Sequence, residues 1–157
     1  DILLHGVVGA AGLPSALACY ARCGARLLRN ETTTLPGGLQ VAGFDDLIAA
    51  RVPPDEVKAV LSRLDPDRPS LVLSHQPFIF DMAAAAGAGL TLCGHTHQGQ
   101  IFPFTLVVSL AYRYFHGLYR KGGSSCYVTS GTGQWGPPMR LFTRAEIVRI
   151  TLRSRAP

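Results

Sequence analysis

Three histidines carry the chemistry that this chain most plainly offers. His95 and His97 stand one residue apart in Leu92-Cys93-Gly94-His95-Thr96-His97-Gln98-Gly99-Gln100, and His75 lies upstream in Ser74-His75-Gln76-Pro77. Within an extended strand, alternate residues share a face and neighbours do not, but past a strand end a glycine-flanked loop can turn several side chains toward one pocket. Neutral imidazole is the usual nitrogen ligand of zinc, iron and manganese, so the pattern points to metal chemistry.

The elements around the histidines must bring them together. Ser70 to Ser74 is a continuous apolar run that suits a strand buried on both faces, and His75 follows it. A helix around Phe80 to Ala86 leads to a second short strand, Leu90 to Cys93, which ends at the histidine pair. Strand, helix, strand is a crossover unit, and in open α/β sheets the functional crevice lies at the carboxyl ends of the strands. A single histidine after a strand is usually structural, and His5 and His116 are read that way. Three at adjacent strand ends are read as metal ligands: His75, His95 and His97.

Elsewhere the pattern predicts a helix over Leu13 to Cys23, then strands over Ala25 to Arg29 and Leu39 to Phe44, separated by Asn30 to Thr34 and the turn Pro36-Gly37-Gly38. Asp55 to Leu64 is the clearest helix, since Val57, Val60, Leu61 and Leu64 form one apolar stripe. Near the end, Val148, Ile150 and Leu152 alternate with Arg149, Thr151 and Arg153, which predicts a half-exposed strand. Phe102 to Lys121 mixes six aromatic rings with Arg113, Arg120 and Lys121 and reads as a long ordered loop packing its rings on the sheet, the alternative being a loop that holds a phospholipid or sugar-nucleotide substrate or rests on an anionic membrane surface. Asp45 and Asp46 fit a turn, or the orientation of a histidine, and Trp135 to Pro138 a rigid turn at the mouth of the site.

Length and composition set the limits. A chain of 157 residues with 47% apolar and 16% charged residues fits one globular domain, and disorder is excluded. The four cysteines lack CxxC spacing and sit in apolar stretches, so they are read as buried thiols. No apolar run reaches the roughly 18 residues of a membrane span. A net charge of +5 favours anionic partners weakly, but no zinc-finger, GxGxxG or RNA-binding pattern supports nucleic-acid recognition. The first residues, Asp1-Ile2-Leu3-Leu4-His5, show no signal peptide.

These residues resemble the calcineurin-like metallophosphoesterases. The resemblance rests on Ser74-His75-Gln76-Pro77, on Cys93 through Pro103, on Gly117-Leu118-Tyr119 and on Trp135-Gly136-Pro137-Pro138-Met139-Arg140. It is strongest to the bacterial branch resembling YkuE and YaeI, together with transmembrane proteins that carry a metallophosphoesterase domain. What it implies is an α/β fold, the C-terminal half of a four-layer αββα sandwich with a mixed sheet. It also implies two divalent ions (manganese, iron or zinc), about 3.5 to 4 Å apart, that activate water against phosphorus. Residue by residue, His75 and His95 would hold the second ion and His97 the first; no catalytic residue is assigned.

The family's D-x-H, G-D-x-x-D and G-N-H-D/E motifs are absent, and His5-Gly6-Val7-Val8 matches the last of them at no position. The expectation is therefore a single partial domain over residues 1–157, without the N-terminal half, and a truncated and inactive copy of a phosphoesterase. Three imidazoles without a carboxylate underfill two ions. The resemblance further suggests a membrane-associated enzyme acting on a phosphodiester or pyrophosphate, such as UDP-2,3-diacylglucosamine of lipid A synthesis. The competing reading is a degenerate metal- or anion-binding module. A half-sandwich should also leave one sheet face apolar and exposed.

Overall fold

The computed structural model describes residues 26–153, with Arg22 and Gly24. The expected helix over Leu13 to Cys23, and His5, lie outside the described residues.

Six strands form one mixed sheet: β1 (Glu31–Thr34), β2 (Gln40–Gly43), β3 (Ser70–Leu73), β4 (Leu90–Cys93), β5 (Gly117–Lys121) and β6 (Ser124–Val128). Their order is β1-β2-β3-β4-β6-β5. The inner four run parallel, and β1 and β5 close the two edges antiparallel. Three α-helices are complete among the described residues: α1 (Pro54–Leu61), α2 (Phe80–Ala85) and α3 (Phe104–Ala111). This is the mixed α/β sheet the sequence predicts.

The parallel ladder follows from its residues. Ala42, Val72, Thr91 and Cys126 lie in one row across β2, β3, β4 and β6, all with no exposed surface. Against this face pack Val57, Val60 and Leu61 of α1, Phe80 and Ala83 of α2, and Ile79 and Tyr114 beside them. Pro54 opens α1, and Asp55 and Glu56 in its first turn complement the positive end of the helix dipole. The predicted stripe Val57, Val60, Leu61, Leu64 is buried throughout. On the opposite sheet face Leu73, Leu90, Leu92 and Tyr127 are only half-buried, while Val41 and Leu71 are covered.

Three expectations fail. Residues 26–29 form no strand; the first strand among the described residues is Glu31–Thr34, inside the segment expected to separate two strands. Three β-branched threonines there pair with β2 across the Pro36-Gly37-Gly38 turn, where Gly37 and Gly38 take φ values of 90° and 87°. Residues 147–153 alternate in polarity but form no ladder, and Ile147 is 90% exposed. A strand is made by its neighbour's hydrogen bonds, so alternation alone does not suffice. Finally, Phe102 to Lys121 is not a loop but contains α3 and β5.

Candidate metal centre

The sheet sets His75 and His95 side by side. β3 and β4 pair in parallel, Ser74 N–H donates to Leu92 carbonyl, and Gly94 N–H donates to His75 carbonyl, so the two loops leave the sheet in register. His75 Nε2 and His95 Nδ1 then face each other at 3.0 Å, with the rings edge-on at 4.7 Å. Two nitrogens bound to one ion at about 2.1 Å and roughly right angles stand about 3 Å apart, so this pair has the spacing of two ligands of one cation. On the far side of the ring, His95 Nε2 meets Tyr112 Oη at 2.8 Å. With the Nε2 hydrogen directed to Tyr112, the Nδ1 lone pair is the one turned toward His75.

His97 stands apart from that pair. Its Nδ1 is buried and has no hydrogen-bond partner among the described residues, and its ring lies against Gly133. An orphaned imidazole nitrogen fits a ligand role, yet no group of three or more metal-ligating side chains gathers among the described residues. The three histidines thus occupy the same end of the sheet, with two in mutual contact.

All three imidazoles are held neutral. Burial, then the neighbouring His95 and His97, push His75 down to about 4 despite the opposing pull of Asp46. Burial lowers His95 as well, and burial followed by the Arg140 charge lowers His97. Asp46 is the nearest carboxylate, with Oδ2 at 4.0 Å from His75 Nε2. A neutral His75 makes this a polar contact and not an ion pair. Burial pushes the Asp46 carboxyl up, but bonds from Ala49 N–H, Gln76 and Ile48 N–H outweigh it and keep the group ionised. Asp46 thus takes the turn role weighed from the sequence, capping Ile48 and Ala49 N–H, and at 4.0 Å from His75 it makes no hydrogen bond that would orient the ring. Asp45 takes neither role, being engaged by Arg29 at 3.0 Å.

Several residues position the site through contacts that the motifs do not name. Gln76 is fully buried, accepts from Leu47 N–H at 3.0 Å and donates to Asp46 at 2.6 Å. Arg140 donates to the carbonyls of His97, Ser130, Gly131 and Gly133 at 2.7–3.3 Å, clamping the histidine loop to the loop after β6. Gln100 donates to the carbonyls of Trp135 and Pro137, which fixes the predicted rigid turn beside the site. His116 faces Glu146 at 3.3 Å, and the Glu146 carboxylate also accepts from Ser130 N–H and Thr129 Oγ1. Gln76, Gln100 and Arg140 stand inside the quoted motifs, but their partners lie up to 43 residues away and nothing local names them.

The backbone of the histidine loop is unusual. His95, His97, Gln98 and Gln100 all take positive φ, from 48° to 71°. Gly99 between them, at φ 70°, packs so closely on the Thr105 backbone that no Cβ fits.

Comparison with known proteins gives relatives along most of the chain. An uncharacterised metallophosphoesterase of Helicobacter pylori is 42% identical over 131 residues, 80% of this chain and 35% of the relative. A transmembrane protein with metallophosphoesterase domain from Danio rerio is 38% identical over 136 residues, 82% of this chain and 31% of the relative. The metallophosphoesterase YkuE of Bacillus subtilis is 33% identical over 158 residues, 96% of this chain and 53% of the relative. The chain thus spans about a third to a half of the length of these relatives. No family model matches it, and no solved structure matches it.

Proposed function

The chain belongs to the metallophosphoesterases, and we propose that His75, His95 and His97 are its contribution to a divalent-metal centre that hydrolyses a phosphoester. The observation that carries this reading is the 3.0 Å approach of His75 Nε2 to His95 Nδ1 at the carboxyl ends of β3 and β4. When bound, two such ions supply positive charge against the charge developing on the phosphoryl oxygens and lower the pKa of the attacking water. His75 and His95 would hold one ion, and His97 would serve the other. Tyr112 orients His95, and Arg140 holds the carbonyl of His97 so that its ring stays inward.

The substrate class proposed is a lipid-linked or nucleotide-sugar phosphodiester or pyrophosphate, of which UDP-2,3-diacylglucosamine is the example. The net charge of +5 supports an anionic substrate, and membrane association is supported by a relative in Danio rerio that is named a transmembrane protein. Among the described residues no helix is long and apolar enough to cross a membrane.

Three imidazoles and no carboxylate ligand leave two ions short of donors, so the 157-residue chain by itself is expected to be inactive. Calorimetric titration with manganese or zinc tests the site: binding by the wild-type chain that is lost in His75→Ala and His95→Ala supports it. No heat in the wild-type chain overturns it. Turnover of bis-(p-nitrophenyl) phosphate with manganese would contradict the expected inactivity. The second reading, a non-catalytic module with a single ion, is favoured by the contact between only two of the three imidazoles. A stoichiometry of one ion, unaltered in His97→Ala, would select it.

A further inference from the structure

The helix α3 (Phe104–Ala111) has the sequence Phe-Thr-Leu-Val-Val-Ser-Leu-Ala, with no charge at any position. A helix on a globular surface ordinarily turns its apolar side inward. Here only Val108 is buried, while Leu106 and Val107 are each 57% exposed and Leu110 is 89% exposed. Phe104, Val107 and Leu110 recur every third residue and so lie along one side of the helix.

The apolar surface continues beyond the helix. Phe104 stacks on Trp135 with ring planes 9° apart, and Phe102 meets Phe142 edge-on at 5.8 Å. Trp135 and Phe142 are themselves exposed. The bonds of Gln100 to Trp135 and Pro137, and of Phe102 N–H to Leu141 carbonyl, hold the two segments together as one surface. A contiguous exposed patch of this kind marks an interaction surface.

Charge identifies the occupant. Between Met82 and Ala145 the chain carries Arg113, Arg120, Lys121, Arg140 and Arg144 and not one aspartate or glutamate. Nine of the ten acidic residues precede Met82; the last of them, Asp81, lies 2.6 Å from Lys121 and 3.7 Å from Arg113, and the tenth, Glu146, is half-buried and engaged, so Arg120 and Arg144 are the exposed cations of this stretch that no carboxylate meets among the described residues. Arg113 follows α3 by two residues with its side chain 74% exposed, and Arg144 follows Phe142 by two, also exposed. An uncharged apolar and aromatic centre with a basic rim is complementary to an anionic lipid surface, whereas a second copy would bring like charge against like.

We propose that α3 and the Trp135 to Phe142 segment form a docking face for an anionic phospholipid bilayer. Phe104, Val107, Leu110, Trp135 and Phe142 enter the boundary between headgroups and acyl chains, and Arg113 and Arg144 meet headgroup phosphates. Tyr112, just past the end of α3, is the residue that contacts His95, so the face adjoins the histidine pair. The face rests on the membrane association proposed above and gives it residues, while its test measures partition and no turnover, so its outcome is read separately from the hydrolytic reading.

The experiment is flotation of the 157-residue chain with vesicles of phosphatidylcholine alone, or with roughly one third phosphatidylglycerol. The expected result is binding to the anionic vesicles, weakened by salt. The double variant Val107→Glu/Leu110→Glu should lose at least about tenfold in partition with an unchanged thermal midpoint, since both side chains are exposed in the native state. Arg113→Gln/Arg144→Gln should reduce the preference for anionic over neutral vesicles. Failure of the wild-type chain to bind anionic vesicles overturns the proposal, as does equal binding by the double glutamate variant. Self-association without vesicle binding, abolished by the same variant, would also overturn it by assigning the face to a second copy.

Discussion

Tyr112 Oη lies 2.8 Å from His95 Nε2, and that bond decides which nitrogen of His95 is left for a cation. The hydroxyl occupies the Nε2 side, so the Nδ1 side, 3.0 Å from His75, is the side that binds. Tyr112→Phe removes only this oxygen. It should weaken manganese or zinc binding by about tenfold, within the usual range for an outer partner of a ligating histidine, while His95→Ala abolishes it. Calorimetric titration of both variants checks the order; a Tyr112→Phe variant as defective as His95→Ala would show that the hydroxyl is itself a ligand.

The acid side of the stability profile follows from His75. Its native pKa of about 4 lies below the roughly 6.5 of an imidazole in an unfolded chain, so between those values the unfolded state binds the extra proton. Stability is therefore fully present above about pH 6.5 and declines as the pH falls toward 4. The lowered His95 and His97 act in the same direction. Below about pH 4 the depressed carboxyls of Asp46, Asp81 and Glu146 extend the loss, since each favours the native state only while ionised. Thermal midpoints measured from pH 8 to pH 3 should fall in two stages, and His75→Gln should flatten the first.

Arg140 ties four carbonyls of two loops together through one guanidinium. Arg140→Met keeps the apolar stem and removes every one of those bonds. The loss should be about 1 to 3 kcal/mol, since the guanidinium is half-buried and its carbonyl partners are partly open to water, and Arg140→Lys should recover little because an ammonium cannot span the same carbonyls. Chemical denaturation of the two variants reads this directly.

Phe80, with no exposed surface, joins α2 to the sheet and meets Tyr114 at 5.1 Å, edge to face. Phe80→Ala should cost about 3 to 5 kcal/mol. An effect under about 1 kcal/mol in urea denaturation would mean that the core does not close around this ring.

Cys93 and Cys126 are buried free thiols, as expected; Cys19 and Cys23 lie outside the described residues. A hydrogen bond with Cys126, and then burial, push the Cys93 thiol up, and a protonated thiol is a poor nucleophile. Peptide mapping after iodoacetamide treatment of the native chain should find Cys93 and Cys126 unmodified, and both modified once the chain is unfolded in denaturant.

What was legible in the sequence is what has a local cause. The runs Ser70 to Leu73 and Leu90 to Cys93 are short, apolar and bounded, and they are the two parallel strands that carry the histidines. The stripe of α1 repeats at helical spacing and is buried as predicted. The failures share a physical origin. Helix α3 lacks a polar side, so it gives no helical period, and the alternation after Glu146 has no neighbouring strand to pair with. Thr32 to Thr34 did carry a signal, their β-branching, which the adjoining Asn30 and Glu31 obscured. In the site, the positions of His75, His95 and His97 at the strand ends were readable from spacing. The roles of Tyr112 and Arg140 depend on contacts 17 and 43 residues distant, which no local pattern encodes.

The positive φ of His95, His97, Gln98 and Gln100, interrupted by Thr96, has a consequence for how a cation would be received. Each such non-glycine residue costs on the order of 1 kcal/mol, an expense met by the clamp around the loop before any ligand arrives. The imidazoles are therefore set in advance, and capture of an ion should proceed with little loss of chain entropy. Relaxing the loop with Gln98→Gly should raise the melting temperature while making metal uptake entropically costlier, so that firmness of fold and strength of capture move in opposite directions.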